Sequence, residues 1–382
     1  MENFSFCSPT YFEFGKGAEL KAGELANKFG GTKLLLHYGG GSIKKNGLYD
    51  RVVSALNGAG LPFAELGGVQ PNPVDTLVYE GIELCRKDDV DFILAVGGGS
   101  TIDSAKAIAA GAVYDGDFWD FFAGKYIEKA LPVGTVLTIA AAGSEGSCNS
   151  VITKTKANLK RGATGEAIRP AFSILNPELT QSLPPYQTAA GAVDIMIHIC
   201  ERYFSNTKEV EVTDRLCEAL LLTMISQTPR VVADPNDYEA RANIMWAGMV
   251  AHNNLCGVGR EQDWASHGME HELSAFYGAT HGAGLAVIAP AWMKFVSRKN
   301  PDKFTQFAER VWGVKEADEG IKCFEAFLKS IGMPRSIKEF GANEEDIPML
   351  AEHIGLTEER SFGNYVKLNV RDVEEIYRLA LA

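Results

Sequence analysis

Long apolar runs are absent from this chain: no stretch of about 18 apolar residues occurs, so a spanning helix is not expected. Cysteine is sparse and unpatterned. The seven cysteines are scattered, odd in number and never form a C-x-x-C pair, which predicts reduced thiols in a cytoplasmic compartment. Basic charge is also short. A net charge of −12 argues against a nucleic-acid or anionic-membrane partner, which would call for a basic face, and says nothing about the substrate. The first residues, MENFSFCSPTYFEFGKG, lack a basic segment followed by an apolar one, so no secretory signal is expected. Internal repeats, low-complexity tracts and long charged runs are missing as well.

What remains has the composition of an ordinary globular enzyme, 46% hydrophobic and 23% charged over 382 residues. That length predicts two domains. From about residue 30 to 175, strand candidates alternate with helical stretches. Lys33–Tyr38, Phe63–Leu66, Asp91–Val96 and Val133–Ala140 read as strands; Tyr49–Leu56, Thr76–Lys87 and Ile102–Val113 read as helices. Such alternation predicts a parallel sheet with helices on both faces. Beyond NPELTQSLPP the pattern turns helical, with Pro184 and Pro185 suited to a helix start. The expected domains are residues 1–179, α/β, and 180–382, all helical.

Two glycine turns carry a phosphate signal. AVGGGSTIDSAK (Ala95–Lys106) is a strand entering three glycines and then a helix. There Gly97, Gly98, Gly99 and Ser100 can bring backbone N–H groups and a helix N-terminus to a phosphate. Asp103 lies in the first turns of that helix. The pattern is neither G-x-G-x-x-G nor a Walker loop, and a tight structural turn is the competing reading. The second turn, YGGGSIKKNG, holds Gly40, Gly41 and Ser42 before Lys44 and Lys45 and contains no acid. An acidic residue at this place binds the ribose hydroxyls and repels a 2′-phosphate. Its absence favours NADP(H) over NAD(H); the alternative is a glycine turn followed by solvated lysines.

Metal chemistry concentrates in the second half. Asp194 and His198 are one helical turn apart, and His267 and His281 frame HGMEHELSAFYGATHGAG. Three imidazoles with one carboxylate suit Fe²⁺ or Zn²⁺ and suit Mg²⁺ or Ca²⁺ poorly. A lone histidine is more often a core residue, but three with an aspartate in one helical domain favour a site. HGMEH also matches the H-x-x-E-H string of one metalloprotease class, with His267 and His271 as ligands and Glu270 as base. That reading leaves the phosphate turn and the Asp194/His198 pair without a role.

Together, GGGSTIDSAK, TIAAAGSE, LNPELTQSLPP, the Asp194/His198 pair and HGMEHELSAFYGATHGAGLAV resemble the iron-containing alcohol dehydrogenases over nearly the whole chain. The second glycine turn is similar to the branch of NADP(H)-dependent butanol dehydrogenases and aldehyde reductases. The resemblance implies a Rossmann-like α/β domain plus an all-α domain, a dehydroquinate synthase-like architecture, with coenzyme and metal in a cleft between them. It implies metal ligands Asp194, His198, His267 and His281, and further coenzyme contacts at Asn72, Thr138, Asn149 and Lys160. His271 matches a histidine near the family's metal and nicotinamide. Two departures stand out: Ala141-Ala142-Gly143-Ser144-Glu145 where the family often has Gly-Thr-Gly-Ser-Glu, and Asn176-Pro177 where Asp-Pro is usual.

The expected reaction is hydride transfer between NADP(H) and a small aldehyde or primary alcohol, with His271 as proton relay and His267 holding the metal. A homodimer is expected, through an edge strand within Phe4–Phe14. A glycerol-type polyol dehydrogenase is the nearest alternative. A metal-dependent lyase or synthase on the same architecture would need basic residues near the histidines, which the helical half lacks. A metal-buffering protein would leave the phosphate turn to chance.

Overall fold

The computed structural model describes residues 1–356 and 361–381. The chain divides into two compact units, Cys7–Leu183 and Pro184–Ala382, the second joined by Met1–Phe6.

The first unit is built on a six-stranded sheet. Its strands are β1 (Tyr11–Phe14), β2 (Leu34–Tyr38), β3 (Phe63–Leu66), β4 (Phe92–Gly97), β5 (Val133–Leu137) and, after a hairpin, β8 (Phe172–Leu175). They run in the order β1-β8-β5-β4-β2-β3, every pair parallel. The central strands β2, β4 and β5 are buried along their whole length, as continuous apolar runs such as FILAV require when helices cover both faces. Each fully buried Leu, Ile or Val there contributes about 1.5–3 kcal/mol relative to an exposed one. Helices α1 (Leu48–Gly58), α2 (Asp75–Lys87) and α3 (Gly99–Ala112) follow β2, β3 and β4. The alanine-rich α3 is buried over most of its surface, small side chains allowing close approach to the sheet.

The sequence reading missed part of this unit. Val133–Ala140 is a strand only as far as Leu137. The antiparallel hairpin of β6 (Asn149–Lys154) and β7 (Leu159–Thr164) was not expected; its residues alternate polar and apolar too weakly to announce a strand. The edge strand anticipated within Phe4–Phe14 forms over Tyr11–Phe14 alone.

The second unit is helical: α4 (Pro185–Tyr203), α5 (Glu211–Ala233), α6 (Tyr238–His252), α7 (Ala265–Tyr277), α8 (His281–Ser297), α9 (Ala317–Ser330) and α10 (Val370–Leu379), with shorter turns between. Pro185 opens α4, where its missing N–H costs nothing. The segment Met1–Phe6 is fastened to this unit by Glu2 N–H donating to Gly259 O at 2.9 Å. Among the described residues no helix is long and apolar enough to cross a membrane.

Candidate functional site

In the α/β unit, the strand order reverses direction between β2 and β4, and ligands of open parallel sheets bind beyond the strand C-termini at such a point. Both glycine turns lie there. Gly39–Ser42 follow β2, and Gly98 is the residue before α3. A Cβ on Gly98 would stand 2.1 Å from Ile139 Cγ2, so the turn can pass this close to its neighbour only as glycine. Thr138, at the end of β5, donates its N–H to Gly97 O at 3.0 Å. Lys160 Nζ donates to Asn72 Oδ1 at 2.9 Å, and Asn72 has a left-handed backbone, φ 55°.

Beneath this rim lies a buried polar network. Asp103 accepts from Ser144 Oγ at 2.6 Å and Val151 N–H at 3.0 Å. Lys106, fully buried, donates to the carbonyls of Ser144, Ser147 and Asn149 at 2.6–2.9 Å. Both residues thus tie α3 to the segment that carries Asn149. Burial pushes the Lys106 ammonium down to about 8. Asn176, the departure from Asp-Pro, keeps the capping role by accepting from Glu178 N–H at 3.0 Å. Its amide also donates to Glu19 at 2.8 Å, which a carboxylate would not do.

The helical unit gathers the four expected ligands. Asp194 and His198 lie on one face of α4, His267 in the first turn of α7, and His281 at the start of α8. From Asp194 Oδ1, the Nε2 atoms of His198, His267 and His281 are 3.4, 3.9 and 3.8 Å away. Three ring nitrogens converge on one carboxylate oxygen. Gly282 makes this possible: a Cβ there would stand 1.9 Å from Ala190 O, so only glycine lets α8 begin against α4, one turn from Asp194. Gly278, left-handed at φ 64°, ends α7.

Asp194 Oδ1 and His267 Nε2 are buried with no hydrogen-bond partner. Buried polar atoms are nearly always satisfied, and a cation between them would satisfy both, which three imidazoles and a carboxylate are chemically suited to hold as Fe²⁺ or Zn²⁺. Burial opposes a charged His267, but the Asp194 and Glu201 carboxylates outweigh it and hold its pKa up to about 9. His198 goes the other way: burial, with His252 and His267 beside it, keeps its pKa well below the ordinary value. His271 is half-buried on α7, its ring 5.7 Å from that of His281. The metalloprotease alternative fails on Glu270. That carboxylate is fully buried and accepts from His281 Nδ1 and Ser274 Oγ, so it is engaged within the protein.

The family description "Iron-containing alcohol dehydrogenase" matches residues 9–177, and "Fe-containing alcohol dehydrogenase family, C-terminal" matches residues 188–381. The chain belongs to the iron-containing alcohol dehydrogenase family. It is 41% identical to NADH-dependent butanol dehydrogenase A of Clostridium acetobutylicum over 99% of both proteins. It is 38% identical to the NADPH-dependent aldehyde reductase YqhD of Escherichia coli over 93% of both. The crystal structure of NADH-dependent butanol dehydrogenase A from Thermotoga maritima superposes with a TM-score of 0.97 at 45% identity, covering 100% of this chain and 99% of that one. The α/β sheet and the helical second half are those of this family.

Sequence reasoning missed several residues around the histidines. Glu201 accepts from Trp264 N–H, His267 N–H and His267 Nδ1 at 2.9–3.0 Å. It stands seven residues after Asp194, on the same helical face, a spacing that the sequence displays. Trp264, left-handed at φ 70°, sets its ring 5.1 Å from His267 and 5.6 Å from His198. His252 lies 4.1 Å from His198. Nothing in local sequence links these two to the site.

Proposed function

We propose that this protein catalyses reversible hydride transfer between a nicotinamide coenzyme and a small aldehyde or primary alcohol, as a butanol dehydrogenase or aldehyde reductase. The observation that carries the reading is the convergence of three imidazole Nε2 atoms within 3.9 Å of Asp194 Oδ1, in a chain of this family. Asp194, His198, His267 and His281 would hold one divalent metal, Fe²⁺ or Zn²⁺. Such an ion supplies Lewis acidity toward a carbonyl or alcohol oxygen, worth several kcal/mol of barrier. His271, half-buried near His281, passes the proton between the substrate oxygen and solvent at an imidazole nitrogen.

The α/β residues bind and orient the coenzyme. Gly97, Gly98, Gly99 and Ser100 offer backbone and hydroxyl donors to the pyrophosphate at the start of α3. Gly40, Gly41 and Ser42 face the adenosine end, while Asn72, Thr138, Asn149 and Lys160 complete the rim. Asp103 contributes by fixing the 144–151 segment. In this division of labour the unit Cys7–Leu183 serves the coenzyme, and Pro184–Ala382 with Met1–Phe6 the metal and substrate.

NADPH is the assigned coenzyme. No acid occurs from Gly39 to Lys45. The neighbouring Glu65 is engaged by the hydroxyls of Tyr38 and Tyr49 at 3.0 and 2.6 Å. The relatives' names divide between NADH and NADPH, so the assignment rests on the turn. A homodimer is also proposed, through β1, an edge strand with Tyr11 and Phe14 exposed. A cytoplasmic location fits the free cysteines.

The test is a screen of straight-chain aldehydes with NADPH and NADH, on protein reloaded with Fe²⁺ or Zn²⁺. Aldehyde-dependent coenzyme oxidation, faster with NADPH, is expected. No oxidation with any aldehyde, coenzyme or metal would refute the reading. The 1,3-propanediol dehydrogenase of Citrobacter freundii is 31% identical, so a diol belongs in the panel.

A further inference from the structure

Two buried glutamates stand behind the histidines, and their placement follows a rule. Glu201 continues the face of α4 that carries Asp194 and His198, and its side chain is 1% exposed. It reaches across to α7, where Oε1 accepts from His267 Nδ1 at 3.0 Å. Glu270, three residues after His267 on α7 and fully buried, reaches across to α8, where Oε2 accepts from His281 Nδ1. Ser274 Oγ holds its other oxygen at 2.5 Å. Each helix thus orients the histidine of the next.

An ionised carboxylate only accepts, so Nδ1 must carry the proton in both rings. Once the ring is neutral, as metal binding requires, the lone pair is left on Nε2, the atom that faces Asp194 Oδ1 at 3.9 Å in His267 and 3.8 Å in His281. His198 is built differently: its Nδ1 is buried without a hydrogen-bond partner. That ring is set by packing against His252 and His267, at 4.1 and 4.4 Å.

We propose that Glu201 and Glu270 are positioning residues that fix the Nε2-coordinating tautomer of His267 and His281 and thereby set the metal affinity. The proposal rests on the metal reading above. A purely structural role is the rival, since Glu201 also accepts from the first N–H groups at the α7 terminus. Glu272 supplies the control. It is a third buried glutamate, also on α7, and it accepts from Nδ1 of His353, which is not one of the four ligands.

The experiment titrates metal-free full-length protein with Co²⁺ against a competing chelator. In parallel, imidazole N–H proton resonances are recorded on Zn²⁺-loaded protein. Glu201→Leu and Glu270→Leu are expected to weaken Co²⁺ binding about 10–100-fold and to abolish the matching N–H resonance. Glu201→Gln and Glu270→Gln keep an oxygen acceptor and should fall between wild type and the leucine variants. They also serve if a leucine variant does not fold. Glu272→Gln should bind Co²⁺ as wild type does. Unchanged Co²⁺ affinity in both glutamate positions, or equal weakening in Glu272→Gln, would overturn the proposal in favour of generic packing. Wild-type protein that takes up no Co²⁺ would instead sink the metal reading beneath it.

Discussion

His37 in the α/β unit and His267 in the helical unit are both buried, yet they differ in one respect. His37 pairs both nitrogens, Nδ1 with Leu66 O at 2.8 Å and Nε2 with Ser104 Oγ at 2.9 Å. His267 pairs Nδ1 with Glu201 and leaves Nε2 buried without a partner. Burial alone therefore does not separate a core histidine from a ligand. In this pair satisfaction does, because an unpaired buried nitrogen is costly unless something else occupies its lone pair.

Removing each imidazole should sharpen that contrast. His267→Ala is expected to lose bound metal and to lower kcat/KM about 10³-fold or more, the several kcal/mol that metal assistance supplies. Coenzyme binding, followed by fluorescence, should persist. Retained metal would break the distinction.

His37 should register in stability instead. Burial lowers its pKa from 6.5 to about 4, so between those values the unfolded chain binds the proton and the native protein does not. Stability should therefore fall as pH drops from 6.5 to 4 and level off below that, by about 3 kcal/mol from this site. Urea unfolding across that range checks it. His37→Gln should flatten the acid slope without changing metal content.

His271→Ala should retain metal and coenzyme while kcat falls about 10²-fold, the usual size of a lost acid–base group, with a shifted pH profile. Unchanged turnover and pH profile would return His271 to a packing role. The smallest effect is expected in the backbone turn. Gly98→Ala must displace Ile139 and should weaken coenzyme binding about tenfold, a cost near 1–3 kcal/mol, with metal content intact.

The two units also differ in how much the sequence disclosed. The strands β2, β3 and β4 announce themselves as short apolar runs, and the glycine turn at Gly97–Gly99 is contiguous, so local pattern suffices. The metal group is scattered over three helices, and residue type, the spacing of Asp194 and His198 and the family resemblance, rather than any contiguous pattern, pointed to it. Its assembly depends on Gly282 meeting the backbone of Ala190, a tertiary contact with no local signature. The competing reading of Glu270 as a protease base arises because H-x-x-E-H is a local string, whereas its actual partner His281 lies in another helix. The β6–β7 hairpin was missed because its apolar positions are too few to show a period of two.

The most direct test is an anomalous difference map from crystals of the Zn²⁺-loaded protein. One peak should lie about 2.0–2.2 Å from Nε2 of His198, His267 and His281 and from an Asp194 oxygen. A peak held instead by Glu270 and His271, or none at all, would contradict the account.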